Sequence, residues 1–405
     1  MIFRVIKDSW VRKQVSQRPE EPTAYIHAMH RTTPPHTVSG FSAGGSLAIN
    51  HLFAFSSRVE GAGVLGGSPF GCSTLPDYDN TCSGMNDDGI TQNFSIPWDD
   101  YVPLCNAYAR RRATASAIDP LAYLANKRVY LFSGTRDNIV YQPVMRAVEA
   151  QLRNATINAA VLSRFEVATE HAWVVDPGPD TCASPGRAVP GACCGAKAFT
   201  EGTCPPMSSF EPLRGGCCGT CAAGAAPLSG DRWWWPPING CAGVDVSGEM
   251  LHYLLPSMDL RRKPPQLSNL IRVNQSALLP AGWDAASALV DSVGFVYMPR
   301  QCANATSRCA VHVHYHPCDS SWRKASGGYM LYNGLASLAE GSGLVIVFPQ
   351  AADGGLLNGC WDWYGATGRD SFDTNRSVQL NLAMAMLDHL PTLAVNRPIS
   401  SSTHS

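Results

Sequence analysis

Short apolar runs alternate with amphipathic stretches along two long parts of the chain. "TVSGF" (37–41) is an apolar-leaning run that enters a helix-like stretch at 43–53. "RVYLFSG" (128–134) reads as a strand ending in glycine, "VMRAVEAQL" (144–152) as an amphipathic helix, and "RFEVATEHAW" (164–173) as a second strand running into a loop. The pattern resumes with a helix-like 247–255 and strands at 293–299, 309–318 and 343–351. Apolar residues return at helical spacing over 329–340 and 377–390. Strands alternating with helices predict a mostly parallel sheet covered by helices on both faces. Between 183 and 240 no helix or strand period survives, and Cys, Gly and Pro dominate. That stretch reads as an insertion into an α/β domain spanning 37–390. Residues 1–36 have no clean periodicity, and the tail 391–405 reads as disordered.

Composition narrows the class. The 405 residues carry a formal net charge of −1, and 16% are charged, so there is no basic patch for nucleic acid and no acidic tail. No apolar run approaches the roughly 18 residues of a membrane span. Fifteen cysteines and five N-x-S/T sequons, at Asn93, Asn154, Asn274, Asn304 and Asn375, point to the secretory route of a eukaryote. The start "MIFRVIKDSWVRKQVSQ" is not a signal peptide, because charges interrupt its apolar runs. The expectation is a secreted chain whose true start is missing or mispredicted.

Within the first helix entry lies Gly40-Phe41-Ser42-Ala43-Gly44. A G-x-S-x-G pentapeptide between strand and helix is the nucleophile elbow of α/β-hydrolases, in which a strained turn lifts a serine hydroxyl above the sheet edge. Such a serine needs a base and an acid in the order Ser, Asp, His, placed just past strand ends. Asp137 follows the strand ending at Gly134, and His171 follows the next strand. Ordinary turn aspartates are common, and a lone member of eleven histidines means little; order and placement favour these two. The oxyanion donors are expected at the N–H of Ala43 and on a downstream loop at the end of "VHVHYHPC", the strand ending in His316-Pro317-Cys318. The strands at 293–299 and 309–318 are those that a usual hydrolase places first, so a circularly permuted α/β-hydrolase is predicted.

At these motifs the sequence resembles the circularly permuted, single-domain extracellular polyhydroxybutyrate depolymerases of fungal type. The resemblance runs from about 37 to 390, outside the insertion. It rests on "VSGFSAGG", "GGSPFGC" (66–72), "VYLFSGTRDNIV", "ATEHAW", "GFVYMPRQC", "VHVHYHPC", "IVFPQA" and "NGCWDWYG" (358–365). It implies a triad of Ser42, Asp137 and His171, oxyanion donors at Ala43 and Cys318, and an aromatic cleft wall at Trp361 and Trp363. The family pattern resembles H-G-C where this chain has His316-Pro317-Cys318.

The same resemblance implies disulfides Cys72–Cys82, Cys182–Cys241, Cys302–Cys309 and Cys318–Cys360. Cys193, Cys194, Cys204, Cys217, Cys218 and Cys221 remain inside the insertion, where disulfides are favoured over a zinc site in a secreted chain. Cys105 is left over. The expected substrate is an apolar polyester or a small ester, met by Trp361, Trp363, Tyr364 and by Trp233-Trp234-Trp235 if the insertion reaches the cleft; core packing is the plain alternative for each tryptophan. No cofactor or metal is expected, and the chain is read as a monomer. The rival functions are an esterase for another ester, such as a carbohydrate-linked acyl group, and a non-catalytic secreted hydrolase-like protein.

Overall fold

In the computed structural model the described residues are 34–76, 78–83, 98–178, 180–182, 237–303, 309–325, 327–354, 356–357 and 359–395. The expectations for residues 1–33, for the insertion with its six cysteines and Trp233-Trp234-Trp235, for the sequons at Asn93 and Asn304, and for the chain beyond Val395 lie outside them.

The strands are β1 (His36–Phe41), β2 (Val59–Leu65), β3 (Arg128–Phe132), β4 (Ala160–Arg164), β5 (Trp173–Val175), β6 (Asp180–Thr181), β7 (Ile238–Gly240), β8 (Leu270–Asn274), β9 (Val293–Tyr297), β10 (Ala310–Tyr315) and β11 (Leu344–Phe348). The helices are α1 (Ala43–Ala54), α2 (Tyr78–Ser83), α3 (Trp98–Thr114), α4 (Gln142–Arg153), α5 (Val246–Leu254), α6 (Ala285–Ala288), α7 (Gly328–Tyr332), α8 (Leu335–Gly341) and α9 (Val378–Val395). Eight strands form one sheet in the order β4-β3-β2-β1-β10-β11-β9-β8, in which β9 runs antiparallel to both neighbours. A small sheet, β5-β7-β6, sits apart from it. The predicted permuted, mostly parallel architecture is borne out. The strands from the end of the chain fill the half of the sheet beside β1 that a usual hydrolase builds before its nucleophile strand.

Alternation along the strands separates two cores. Val38, Val64, Val129, Val313 and Val347 pack with side chains of α1 and α9, while Tyr130, Phe132, Phe295, Leu344 and Ile346 pack with α5, α7 and α8. β1 is only six residues long, yet every one of them is buried. It can be that short because β2 and β10 satisfy its backbone on both sides.

Polar groups line the β1–β10 seam on one face. Thr37 stands opposite His312 and Ser39 opposite His314. Thr37 Oγ1 lies 2.8 Å from His312 Nδ1, and Ser39 Oγ lies 2.6 Å from His312 Nε2 and 2.7 Å from His314 Nδ1. His314 Nε2 reaches the Tyr329 hydroxyl at 3.1 Å. A one-residue slip would turn these hydroxyls and imidazoles to the opposite face, so the buried hydrogen bonds fix the register.

Three expectations differ from the structure. The strand predicted at 164–173 ends at Arg164, and a loop carries the chain to β5, because the carbonyls of Val167 and Thr169 accept from Thr135 and Arg136 in the loop after β3 rather than continuing a strand ladder. The helix predicted over 329–340 breaks at Asn333-Gly334, where Gly334 takes φ +84° and starts α8. The last helix runs past 390 to Val395 with Pro391 inside it, so the first residues of the supposed tail are helical. The sequon asparagine Asn375 is buried, its amide donating to Ser116 O at 3.1 Å, whereas Asn274 is exposed on the edge strand β8.

The buried histidines make the fold acid-sensitive. Burial pushes His36 and His316 down to about 4 and His312 to about 3, the last also repelled by His36, and it holds His314 well below the ordinary range. An unfolded imidazole takes its proton near 6.5, so below that pH the unfolded chain binds more protons than the fold. Stability is therefore full above about pH 6.5 and declines as pH falls toward 4, by on the order of 3 kcal/mol each for His36 and His316. Urea unfolding at stepped pH is expected to show this decline; a free energy flat over that window would contradict it.

Candidate active site

Ser42 occupies the turn between β1 and α1 with φ 59° and ψ −126°, a conformation that L-residues rarely hold. Its N–H donates to Leu65 O of β2 at 2.9 Å, and its carbonyl accepts the Ser46 N–H at 3.1 Å. The two flanking glycines have different jobs. A Cβ on Gly40 would lie 2.0 Å from the Gly44 carbonyl oxygen, so the first glycine makes the turn itself possible. A Cβ on Gly44 would lie 2.3 Å from Tyr315 O and 2.6 Å from His316 O, so the second lets α1 approach the end of β10. Gly45 meets β2 in the same way, 2.7 Å from Leu65 O.

Asp137 and His171 come together across two loops. His171 Nδ1 lies 2.8 Å from Asp137 Oδ2, with the aspartate side chain 3% and the imidazole 13% exposed. The other carboxylate oxygen accepts the N–H groups of Ile139 at 3.0 Å and Val140 at 2.9 Å. Those bonds hold the carboxylate in a turn just beyond β3, with its second oxygen committed to the imidazole. With Asp137 on Nδ1, Nε2 is the ring nitrogen left to act. It is buried and has no hydrogen-bond partner among the described residues. The Phe41 ring, next to Ser42 in the chain, packs against His171 with centroids 4.6 Å apart, which brings the imidazole to the elbow.

β10 delivers the remaining loop. It lies beside β1, and the chain turns through His316-Pro317-Cys318 where α1 begins. His316 Nε2 accepts the Ala351 N–H at 3.1 Å, so Nδ1 carries the proton and donates to Pro317 O at 2.8 Å. In a trans peptide the C=O and the following N–H point opposite ways. Tethering Pro317 O to His316 therefore turns the Cys318 N–H away from His316. Among the described residues no hydrogen bond engages that N–H.

Disulfides join Cys318–Cys360, Cys72–Cys82, Cys182–Cys241 and Cys302–Cys309; Cys105 is buried with no disulfide partner among the described residues, and burial pushes its thiol up to about 12. Trp361 does not stand at a cleft wall. It is fully buried, packed on the Tyr315 and His316 rings at 5.3 and 5.2 Å, because the bridge from Cys360 pulls it beneath the loop. Trp363 is half-buried and meets Tyr78 and Tyr364. Asp362, between the two tryptophans, accepts the N–H groups of Tyr364, Gly365, Ala366 and Thr367 and so folds the loop that carries Trp363.

No family model matches the chain. A poly(3-hydroxybutyrate) depolymerase of Delftia acidovorans is 26% identical over 359 residues, covering 87% of this chain but 59% of that relative. A polyhydroxybutyrate depolymerase of Talaromyces funiculosus is 23% identical over 349 residues, covering 83% of each. The solved structure of the PHB depolymerase from Penicillium funiculosum matches with a TM-score of 0.62 at 21% identity, over 89% of this chain and 97% of that one. A serine-to-alanine PHB depolymerase complexed with an R3HB trimer matches with the same TM-score at 20% identity and the same coverage. The chain resembles the PHB depolymerases and has their fold.

On this depolymerase fold, Gly66 is a residue that motif reading alone left without a role. It directly follows β2 with φ +50°, and a Cβ there would lie 2.9 Å from His171 Cε1 and 3.4 Å from Asp137 Oδ2. It opens the "GGSPFGC" motif, so the signal was present, but only the folded sheet reveals what it faces. Gly66→Ala is expected to displace the imidazole and lower kcat by about 100-fold, the scale of an ångström-sized misplacement. Steady-state kinetics with a melting curve checks this; an alanine variant with unchanged kcat contradicts it. Cys318→Ser/Cys360→Ser is expected to lower kcat more than it raises KM, since the freed loop carries the Cys318 N–H. Kinetics on soluble ester decides, and a folded double variant with full kcat counts against that role.

Proposed function

We propose that the chain is a secreted serine esterase that hydrolyses the ester bonds of poly(3-hydroxybutyrate) or its oligomers, with Ser42, His171 and Asp137 as its triad. The observation that carries the reading is the Asp137–His171 hydrogen bond of 2.8 Å, with the ring of Phe41, the residue before the strained Ser42, packed against that histidine. The names of the relatives, a poly(3-hydroxybutyrate) depolymerase and a polyhydroxybutyrate depolymerase, support the substrate class. The four disulfides among the described residues suit an oxidising compartment and hence secretion.

In the proposed reaction His171 Nε2 takes the proton of Ser42 Oγ as that oxygen bonds to the ester carbonyl carbon. Asp137 holds the imidazole in the Nδ1–H tautomer and stabilises the imidazolium. The N–H groups of Ala43 and Cys318 receive the developing oxyanion; each such donor is worth about 3–4 kcal/mol in the transition state. The tetrahedral intermediate collapses, the bond to the leaving alkoxide breaks, and that oxygen takes the proton from His171. Water, deprotonated by the same imidazole, then attacks the acyl-enzyme, and Ser42 recovers its proton. Ile139, 43% exposed two residues beyond Asp137, and the half-buried Trp363 provide apolar surface suited to a neutral polyester.

Hydrolysis of polyhydroxybutyrate film, compared with soluble short-chain esters, tests the substrate. Release of 3-hydroxybutyrate products from film is expected; activity on soluble esters alone would give the role to another ester. Ser42→Ala is expected to abolish both activities and fluorophosphonate labelling while leaving the melting temperature within a few degrees, because alanine meets the same turn. Ser42→Gly should melt higher, since glycine relieves backbone strain of about 1–3 kcal/mol. Retained activity in Ser42→Ala would eliminate the triad.

A further inference from the structure

We propose that Asn239, carried by the strand that closes the stem of the Cys-rich insertion, is a positioning residue for His171 and acts through Thr169. The proposal rests on the esterase reading above. His171 lies in the loop between β4 and β5. On one side that loop is laced to the aspartate loop by backbone bonds, Thr135 N–H to Val167 O at 2.8 Å and Arg136 N–H to Thr169 O at 3.1 Å. Gly134 permits the approach, since a Cβ there would lie 2.1 Å from Thr169 O. On the other side the Thr169 hydroxyl accepts a hydrogen bond from Asn239 Nδ2 at 3.0 Å, and both residues are fully buried.

Asn239 is itself fixed by its strand. β7 is the middle strand of the small sheet, with Asn239 opposite Val174 of β5 and Asp180 of β6. β5 starts two residues after His171, and its Trp173 N–H donates to Pro237 O at 2.8 Å. β6 and β7 bracket residues 183–236, and Cys182–Cys241 ties their ends. Asn239 Nδ2 also reaches Cys182 O at 3.4 Å. Backbone bonds on the aspartate side alone would let the loop pivot about that edge. A side-chain bond from the opposite side removes the pivot, and with it the freedom of His171 to swing away from Asp137 and Ser42. The stem of the insertion thereby forms the back wall of the histidine loop, two residues from the base.

Thr169→Val removes the acceptor at constant shape, Thr169→Ser keeps it, and Asn239→Ala removes the donor. In protein that still melts cooperatively, Thr169→Val and Asn239→Ala are expected to lose about tenfold in kcat on p-nitrophenyl butyrate with KM within about twofold, and Thr169→Ser to stay near the parent. The low-field proton resonance of His171 Nδ1–H should shift or broaden in the first two variants and persist in the third. Parent-like kcat and an unchanged resonance in folded Thr169→Val overturn the proposal, as does Thr169→Ser failing alongside Thr169→Val. If Asn239→Ala does not fold, the isosteric Thr169→Val decides alone. If the parent enzyme is not labelled by fluorophosphonate and hydrolyses no ester, the esterase reading fails. The Nδ1–H resonance in Thr169→Val then still decides whether Asn239 and Thr169 hold His171.

Discussion

The parallel pairing of β1 with β10 is the constraint on which the rest of the molecule depends. Thr37 and His312 lie 275 residues apart yet sit in direct register. The pairing sets the serine turn at one strand end next to the His316-Pro317-Cys318 turn at the other. Register in a sheet buried on both faces is normally set by apolar pattern, and parallel strands read as near-continuous apolar runs. Here threonine, serine and two histidines specify it through mutual hydrogen bonds. The same choice carries a cost, because each imidazole must stay neutral for the seam to survive.

Close backbone approach is the second theme. Gly40, Gly44, Gly45, Gly66 and Gly134 all sit where a methyl group would meet another residue within 3 Å. The serine turn, the helix start, the end of β10 and both loops beyond β3 and β4 are thus packed main chain to main chain. Such packing leaves little room for relaxation, which is what a strained residue such as Ser42 requires of its surroundings. Rigidity here comes from omitted side chains as much as from those present.

Covalent ties finish the arrangement at the periphery. Cys318–Cys360 fastens the loop after β10 to the tryptophan segment, and Cys72–Cys82 holds α2, whose Tyr78 meets Trp363 and Tyr364. Within Trp361-Asp362-Trp363 the work divides by burial. Trp361 fills the space under the His316 ring, Asp362 folds the loop, and Trp363 is the member left half-exposed. A motif of three adjacent residues serves core, loop and surface in turn.

The amino-acid sequence determined the class of the fold and much of the candidate site. Alternating apolar periods reported strands and helices, because burial on two faces leaves a periodic trace. The elbow and the order of Asp137 and His171 were legible because the chemistry demands particular side chains at strand ends. The break at Asn333-Gly334 and the end of β4 were not, since apolar residues continue through both and only the packing selects where hydrogen bonds stop. Nor could the sequence tell that Trp361 is enclosed while Trp363 is half-open, or that Gly66 faces His171 and Asn239 faces Thr169. Those are contacts between distant segments. A side chain's type states what it can do, whereas its burial and neighbours arise only when strands remote in the chain are brought into register.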